Sequence, residues 1–122
     1  PALDGVYKLS AIRNPGEEWQ YKIKLSEQMV KISNPGILQV RRYFSEKENI
    51  ADAIYDVDSD LSAGCTIIDP IDATRSKDVA AETKYRDLLV PIFRQGKSVY
   101  EEPTLPEIRK MLCMSSQAST EV

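Results

Sequence analysis

Between residues 5 and 44 the chain alternates apolar and polar side chains, and this limits the fold more than any other feature. Tyr7, Leu9 and Ala11 alternate with Lys8 and Ser10, and Tyr21, Ile23 and Leu25 alternate with Lys22 and Lys24. A third run, Ile37-Leu38-Gln39-Val40-Arg41-Arg42-Tyr43-Phe44, closes the stretch. A period of two sends apolar side chains to one face and lysines to the other, the pattern of a half-buried antiparallel strand. Asn14-Pro15-Gly16 and Asn34-Pro35-Gly36 supply the turns, because proline fixes φ and glycine accepts φ > 0. The first strand is expected over residues 5–12.

Further along, residues 45–49 read as a hairpin link into residues 50–57. That segment fits two periods: Ile50, Ala53, Ile54 and Val57 at helical spacing, or Ala51, Ala53, Tyr55 and Val57 in alternation. Its length and the turn before it favour a strand. Asp56, Asp58 and Asp60 resemble the opening of a calcium loop, but no glycine follows at the sixth position and no glutamate at the twelfth. A solvated acidic turn is the better reading. Residues 65–68 form a short apolar run ending at Asp69-Pro70 and read as a buried strand. Residues 71–84 are polar and read as loop.

The most apolar stretch, residues 86–93, holds Pro91 inside it. Proline cannot donate to a ladder, so an edge strand or a bulged strand is expected. Arg94-Gln95-Gly96-Lys97 is a hairpin turn, and residues 98–101 return as a strand. The clearest helix signal is Thr104-Leu105-Pro106-Glu107, a capping box with proline in the first turn. Leu105, Ile108, Met111 and Leu112 make its apolar face, Arg109 and Lys110 suit the end of its dipole, and residues 115–122 read as a frayed tail. The expected class is α+β: antiparallel hairpins and one C-terminal helix, in a single small domain spanning residues 1–122.

Composition narrows the setting. No apolar run reaches the ~18–20 residues that a membrane helix needs. The start, Pro1-Ala2-Leu3-Asp4, lacks the features of a signal peptide and an initiator methionine, which is consistent with a fragment. Cys65 and Cys113 fit no metal-ligand spacing and read as buried or half-buried thiols in a reducing, cytoplasmic setting, with a disulfide as the alternative. The charge is uneven: residues 1–47 hold eight basic against five acidic side chains, and residues 48–122 hold eight against fourteen. The lysines of the basic half fall where a solvated strand face would put them.

The sequence contains no histidine, which removes the usual general base and the commonest transition-metal ligand together. No Gly-x-x-x-x-Gly-Lys loop, Gly-x-Gly-x-x-Gly turn or Gly-x-Ser-x-Gly elbow is present. No catalytic, cofactor-binding or metal-ligating residue is therefore assigned.

Several ordered blocks resemble the C-terminal domain of nicotinate phosphoribosyltransferase. They are Gly5-Val6-Tyr7-Lys8-Leu9, Lys22-Ile23-Lys24-Leu25-Ser26-Glu27, Lys31-Ile32-Ser33-Asn34-Pro35-Gly36, Leu88-Leu89-Val90-Pro91-Ile92-Phe93 with Gly96-Lys97, and Pro103-Thr104-Leu105-Pro106-Glu107-Ile108-Arg109. The resemblance runs from Leu3 to Met111 and also favours the strand reading of residues 50–57. It implies a parent enzyme that joins nicotinate to phosphoribosyl pyrophosphate, with ATP and magnesium, in NAD salvage. It also implies an upstream α/β-barrel that holds the chemistry, so the barrel is the expected partner and a homo-oligomer is possible. None of the barrel's motifs falls on these residues. Cys113-Met114-Ser115-Ser116 departs from the Arg- and Leu-rich segment with which long family members continue.

A second reading competes: a free-standing β-rich module that binds nucleic acid. Lys22, Lys24, Lys31, Arg41 and Arg42, with Tyr21, Tyr43 and Phe44, have the composition of a basic sheet with stacking aromatics. The acidic total and the placement of Tyr21 opposite Lys22 and Lys24 count against it, and no nucleic-acid or membrane partner is expected.

Overall fold

The computed structural model describes residues 7–28, 31–46 and 48–117. Among them the chain is α+β, with nine short strands in four small sheets and one helix. All the strand pairings with a defined register are antiparallel. The chain divides into two compact units: Pro1–Gln39 with Ile54–Ala81, and Val40–Ala53 with Glu82–Val122.

In the first unit, β1 (Ala11–Ile12) pairs with β2 (Gln20–Tyr21), in the register Ala11↔Tyr21 and Ile12↔Gln20. The Asn14-Pro15-Gly16 turn forms as its residues require. Gly16 sits at φ 84°, and the Glu17 N–H donates to the Asn14 carbonyl at 3.0 Å. Both strands are much shorter than the alternation predicts. Tyr7 is 86% exposed and Leu9 is exposed as well, so alternation gave these side chains a common face but nothing covers it among the described residues. Val6 lies outside the described residues. The Ser10 carbonyl accepts the N–H of both Lys22 and Gly36, at 2.8 and 3.0 Å, and so ties the second turn to the first hairpin. Ser33 is buried, with its hydroxyl accepting the Lys24 N–H at 2.7 Å.

Residues 65–68 form the expected strand, and residues 76–79 correct the expectation of a loop over 71–84. β5 (Cys65–Ile68) pairs with β6 (Ser76–Val79) from Cys65↔Val79 to Ile68↔Ser76. β6 reads Ser-Lys-Asp-Val, too polar for a periodicity signal, and exists because β5 offers it a ladder. Val79 is the buried residue of the pair. The loop between them is held by Asp69, whose Oδ1 accepts the N–H groups of Ile71 and Asp72 at 2.8 and 3.1 Å. β5 is not the buried strand expected, since Ile68 is exposed.

β3 (Leu38–Phe44) and β4 (Asn49–Asp56) are the long strands, so residues 50–57 are a strand and not a helix. Their sheet runs in the order β4-β3-β7, with β7 at Tyr85–Asp87. In the second unit Tyr43, at 3% exposure, and Ala53 are the buried residues, and the Tyr85 ring meets Tyr43 edge-on at 6.1 Å. Pro91 does more than bulge a strand. β7 ends at Asp87, though the Leu88 N–H still donates to the Val40 carbonyl at 2.8 Å, and the chain then forms a separate two-stranded hairpin, β8 (Phe93–Arg94) and β9 (Lys97–Ser98).

The helix α1 spans Leu105–Gln117, so it outlasts the tail expected from residue 115. It places Arg109 and Lys110 in its first half, with no basic residue in the last turn. Only half of the capping box forms as drawn. Glu107 Oε2 reaches back to the Thr104 N–H at 2.7 Å, but the Thr104 hydroxyl donates to that same oxygen, also at 2.7 Å. The Thr104 hydroxyl bond holds the Glu107 carboxyl below its ordinary range, and the Thr104 N–H bond adds to the shift. Thr104→Ala is therefore expected to cost about 0.5 kcal/mol, the low end for a helix cap. Glu107→Ala is expected to cost more, because it strands both Thr104 donors. Thermal melts of the two variants, followed by circular dichroism, check the order.

Candidate functional site

Arg41 and Arg42 are adjacent on β3, so their side chains leave opposite faces of the sheet. Each finds a carboxylate. Arg41 Nε and Nη2 donate to Asp87 Oδ1 and Oδ2 at 2.8 and 3.1 Å, and the guanidinium lies 3.8 Å from the centre of the Tyr85 ring. The register makes this possible, because Arg41 stands directly opposite Asp87. Arg42 Nε and Nη2 donate to Asp52 Oδ1 and Oδ2 at 2.7 and 2.6 Å. Arg42 also stands opposite Arg86, and Asp52 feels both cations. A guanidinium paired in this bidentate way has its fork occupied and its planar geometry satisfied. These arginines bind strands together.

The aromatic half of the proposed basic sheet is no freer. Tyr43 is buried and Phe44 half-buried. Desolvation and a hydrogen bond to Asp56 raise the Tyr21 phenol above its ordinary value. Lys22 Nζ donates to Gln20 Oε1 at 3.1 Å, and Lys31 is exposed. Of the residues that a stacking platform would need, Arg41, Arg42 and Tyr43 are paired or packed where they stand, while Tyr21, Lys24 and Lys31 remain exposed.

The acidic turn is likewise structural. Asp56 Oδ1 accepts the Asp58 N–H at 3.0 Å and its Oδ2 accepts the Ile37 N–H at 2.9 Å. The first of these bonds, then the second, holds the carboxyl below its usual range. Asp60 accepts the Ser62 N–H at 2.9 Å, with the same effect. Among the described residues, no three His, Cys, Asp or Glu side chains gather as a metal-ligand set. Neither cysteine is in a disulfide: Cys65 is half-buried, and Cys113 is exposed where a covered thiol was expected.

Asp52 provides a pH test. The Arg42 hydrogen bond, helped by the charges of Arg42 and Arg86, holds its carboxyl low against the cost of desolvation. A carboxyl lowered in the fold stabilises fully above its unfolded value, about 4, and that contribution is lost as pH falls through the lower folded value. The pair is partly exposed, at 24% for Arg42 and 44% for Asp52. Asp52→Asn is thus expected to cost at most about 1 kcal/mol at pH 7. Urea melts at pH 7 and pH 3 should show the gap between variant and parent closing at the lower pH.

Exposed apolar side chains are frequent over residues 89–112. Gln95 at φ 50° and Gly96 at φ 76° make the tight hairpin turn, with Arg94 opposite Lys97 and Phe93 opposite Ser98. Leu89, Val90, Ile92, Phe93, Val99 and Tyr100 are all exposed, Phe93 at 67%. So are Leu105, Ile108, Met111 and Leu112 of α1. Sequence reasoning located this hairpin and this helix face, and the structure leaves their apolar side chains exposed. Exposed apolar side chains, where they form one contiguous patch, are what partner surfaces cover.

The sequence model of the nicotinate phosphoribosyltransferase C-terminal domain matches residues 38–119, more than half of the chain. The similar blocks within residues 5–36 lie ahead of that span. No curated protein matches the chain. Among the described residues no helix is long and apolar enough to cross a membrane.

Proposed function

This chain belongs to the family of nicotinate phosphoribosyltransferase C-terminal domains, and from that membership we infer that it is the non-catalytic part of such an enzyme. The parent makes nicotinate mononucleotide from nicotinate and phosphoribosyl pyrophosphate, with ATP and magnesium bound upstream, in the cytoplasm. The observation that carries the reading is the absence of histidine from all 122 residues, in a chain whose Arg41, Arg42, Asp52, Asp56 and Asp87 are bonded to its own backbone and strands. The exposed apolar surface of residues 89–112 supports a bracing role: it gives the domain something to press against the barrel or a second subunit.

The test is direct. The purified chain, supplied with nicotinate, phosphoribosyl pyrophosphate, ATP and magnesium, is expected to form no nicotinate mononucleotide by chromatography. Turnover that scales with the amount of chain overturns the non-catalytic assignment.

A further inference from the structure

The middle of the β4-β3-β7 sheet sets two guanidiniums around one carboxylate. Arg42 on β3 and Arg86 on β7 are directly opposite in the register, so their side chains leave the same face side by side. Asp52 on β4 is the carboxylate. Arg42 gives it Nε and Nη2, at 2.7 and 2.6 Å, and its Nη1 makes no hydrogen bond among the described residues. That hydrogen bond is the first cause holding the Asp52 carboxyl low, and the Arg86 charge adds to it. Arg86 itself is exposed, and its side chain has neither a hydrogen bond nor an ion pair among the described residues. The neighbouring carboxylate, Asp87, bonds to Arg41 on the opposite face. Like charges directly opposite are unfavourable, so the fold holds a cation pair here that Asp52 only half compensates.

We propose that Arg42 and Arg86 together bind a phosphate group, as inorganic phosphate or as the monoester of a small molecule. Asp52 fixes Arg42 in place, and Arg86 is the arm that closes on the anion. A tetrahedral anion suits this pair better than a carboxylate. Its oxygens point in several directions, so a separate edge can meet each guanidinium. A carboxylate presents one edge and fills one fork, as Asp52 already does with Arg42. A phosphate monoester carries about −1.5 to −2 charges at pH 7, which offsets the positive charge that Asp52 leaves. All three residues belong to the second unit. The site draws on no other domain, and so it stands apart from the role proposed for this one in its parent. With two side chains near the surface as its donors, the binding is weak, with a Kd on the order of 1 mM.

Titration of the full chain with sodium phosphate, between roughly 0.1 and 30 mM at constant ionic strength, tests it. The readout is the proton–nitrogen NMR spectrum of the arginine Nε–H groups and the backbone amides. The Arg42 and Arg86 signals are expected to shift and saturate. Glycerol 3-phosphate should do the same, and acetate should bind at least about tenfold more weakly. Arg86→Gln is expected to raise the Kd for phosphate at least about tenfold, the loss of one charge-assisted partner. Arg86→Lys keeps the charge and loses the fork, and should raise it at least about twofold. Arg94→Gln removes a cation at the β8–β9 turn instead and should leave the Kd as it is. Circular dichroism of all three variants is expected to match the parent, since the Arg86 side chain bonds to nothing in the fold. Shifts that grow without saturating overturn the proposal. So does a parent-like Kd in either Arg86 variant, or an equal loss in Arg94→Gln. Acetate binding as tightly as phosphate overturns the assignment to a phosphate group.

Discussion

Replacing Gly64 by alanine is expected to lower the unfolding free energy by roughly 2–4 kcal/mol. Gly64 stands at φ 89°, just ahead of β5, with its N–H donating to the Leu61 carbonyl at 3.1 Å. A Cβ at that position would sit 2.5 Å from the Val79 carbonyl oxygen and 3.1 Å from the Ala81 nitrogen. Both are backbone atoms at the end of β6, so relief requires the β5–β6 hairpin to open where Cys65 pairs with Val79. The left-handed conformation alone costs an alanine about 1–3 kcal/mol, and the clash adds to it. Gly16 makes the control. It has nearly the same φ, 84°, but nothing lies within 4 Å of its Cβ position. Gly16→Ala is expected to cost only about 1–2 kcal/mol. Urea melts of the two variants compare them directly, and equal losses refute the close approach of β6 to Gly64.

Gly36→Ala is expected to cost a similar roughly 2–4 kcal/mol, for a different reason. Gly36 stands at φ 123°, and a Cβ there runs into the Asp56 carboxylate. That carboxylate cannot swing aside without giving up the Ile37 N–H, the Asp58 N–H and the Tyr21 hydroxyl. The obstacle is a side chain here, and that makes the claim separable. In an Asp56→Ala background the collision is gone and only the dihedral penalty remains, so Gly36→Ala should cost about 1–2 kcal/mol less than in the parent. A double-mutant cycle with equal losses in both backgrounds means that the carboxylate is not what confines Gly36.

Local chemistry was readable in advance. Asn14-Pro15-Gly16, Gln95-Gly96 and the Thr104–Glu107 bracket each concern residues within four of one another, and the dihedrals and hydrogen bonds appear where the residue types demand them, apart from the Thr104 hydroxyl, which turns to the Glu107 carboxylate. The strand at Asn49–Asp56 was readable too, once its length was weighed against its ambiguous period. β6 was not, because Ser76-Lys77-Asp78-Val79 owes its extended form to β5 and not to its own pattern. Nor was the end of β7 at Asp87. Pro91 signals a missing donor, but how far the break extends depends on how long β3 can hold its neighbour.

The candidate surface shows the same division. Alternation on β1 and the i, i+3, i+4 spacing of α1 assign apolar side chains to a common face, and the side chains themselves suffice for that. They do not say whether the face is covered, since burial needs an opposing surface from elsewhere. Leu105, Ile108, Met111 and Leu112 remain exposed in this chain. The fate of Arg41 and Arg42 shows the point most sharply. Beside Tyr43 and Phe44 they have the composition of a nucleic-acid platform, and nothing nearby in sequence contradicts it. Asp87 lies 46 residues from Arg41, and strand register alone sets them opposite each other. A charge becomes a ligand or a clasp according to what the fold brings within 3 Å of it, and such long-range pairings leave no local trace.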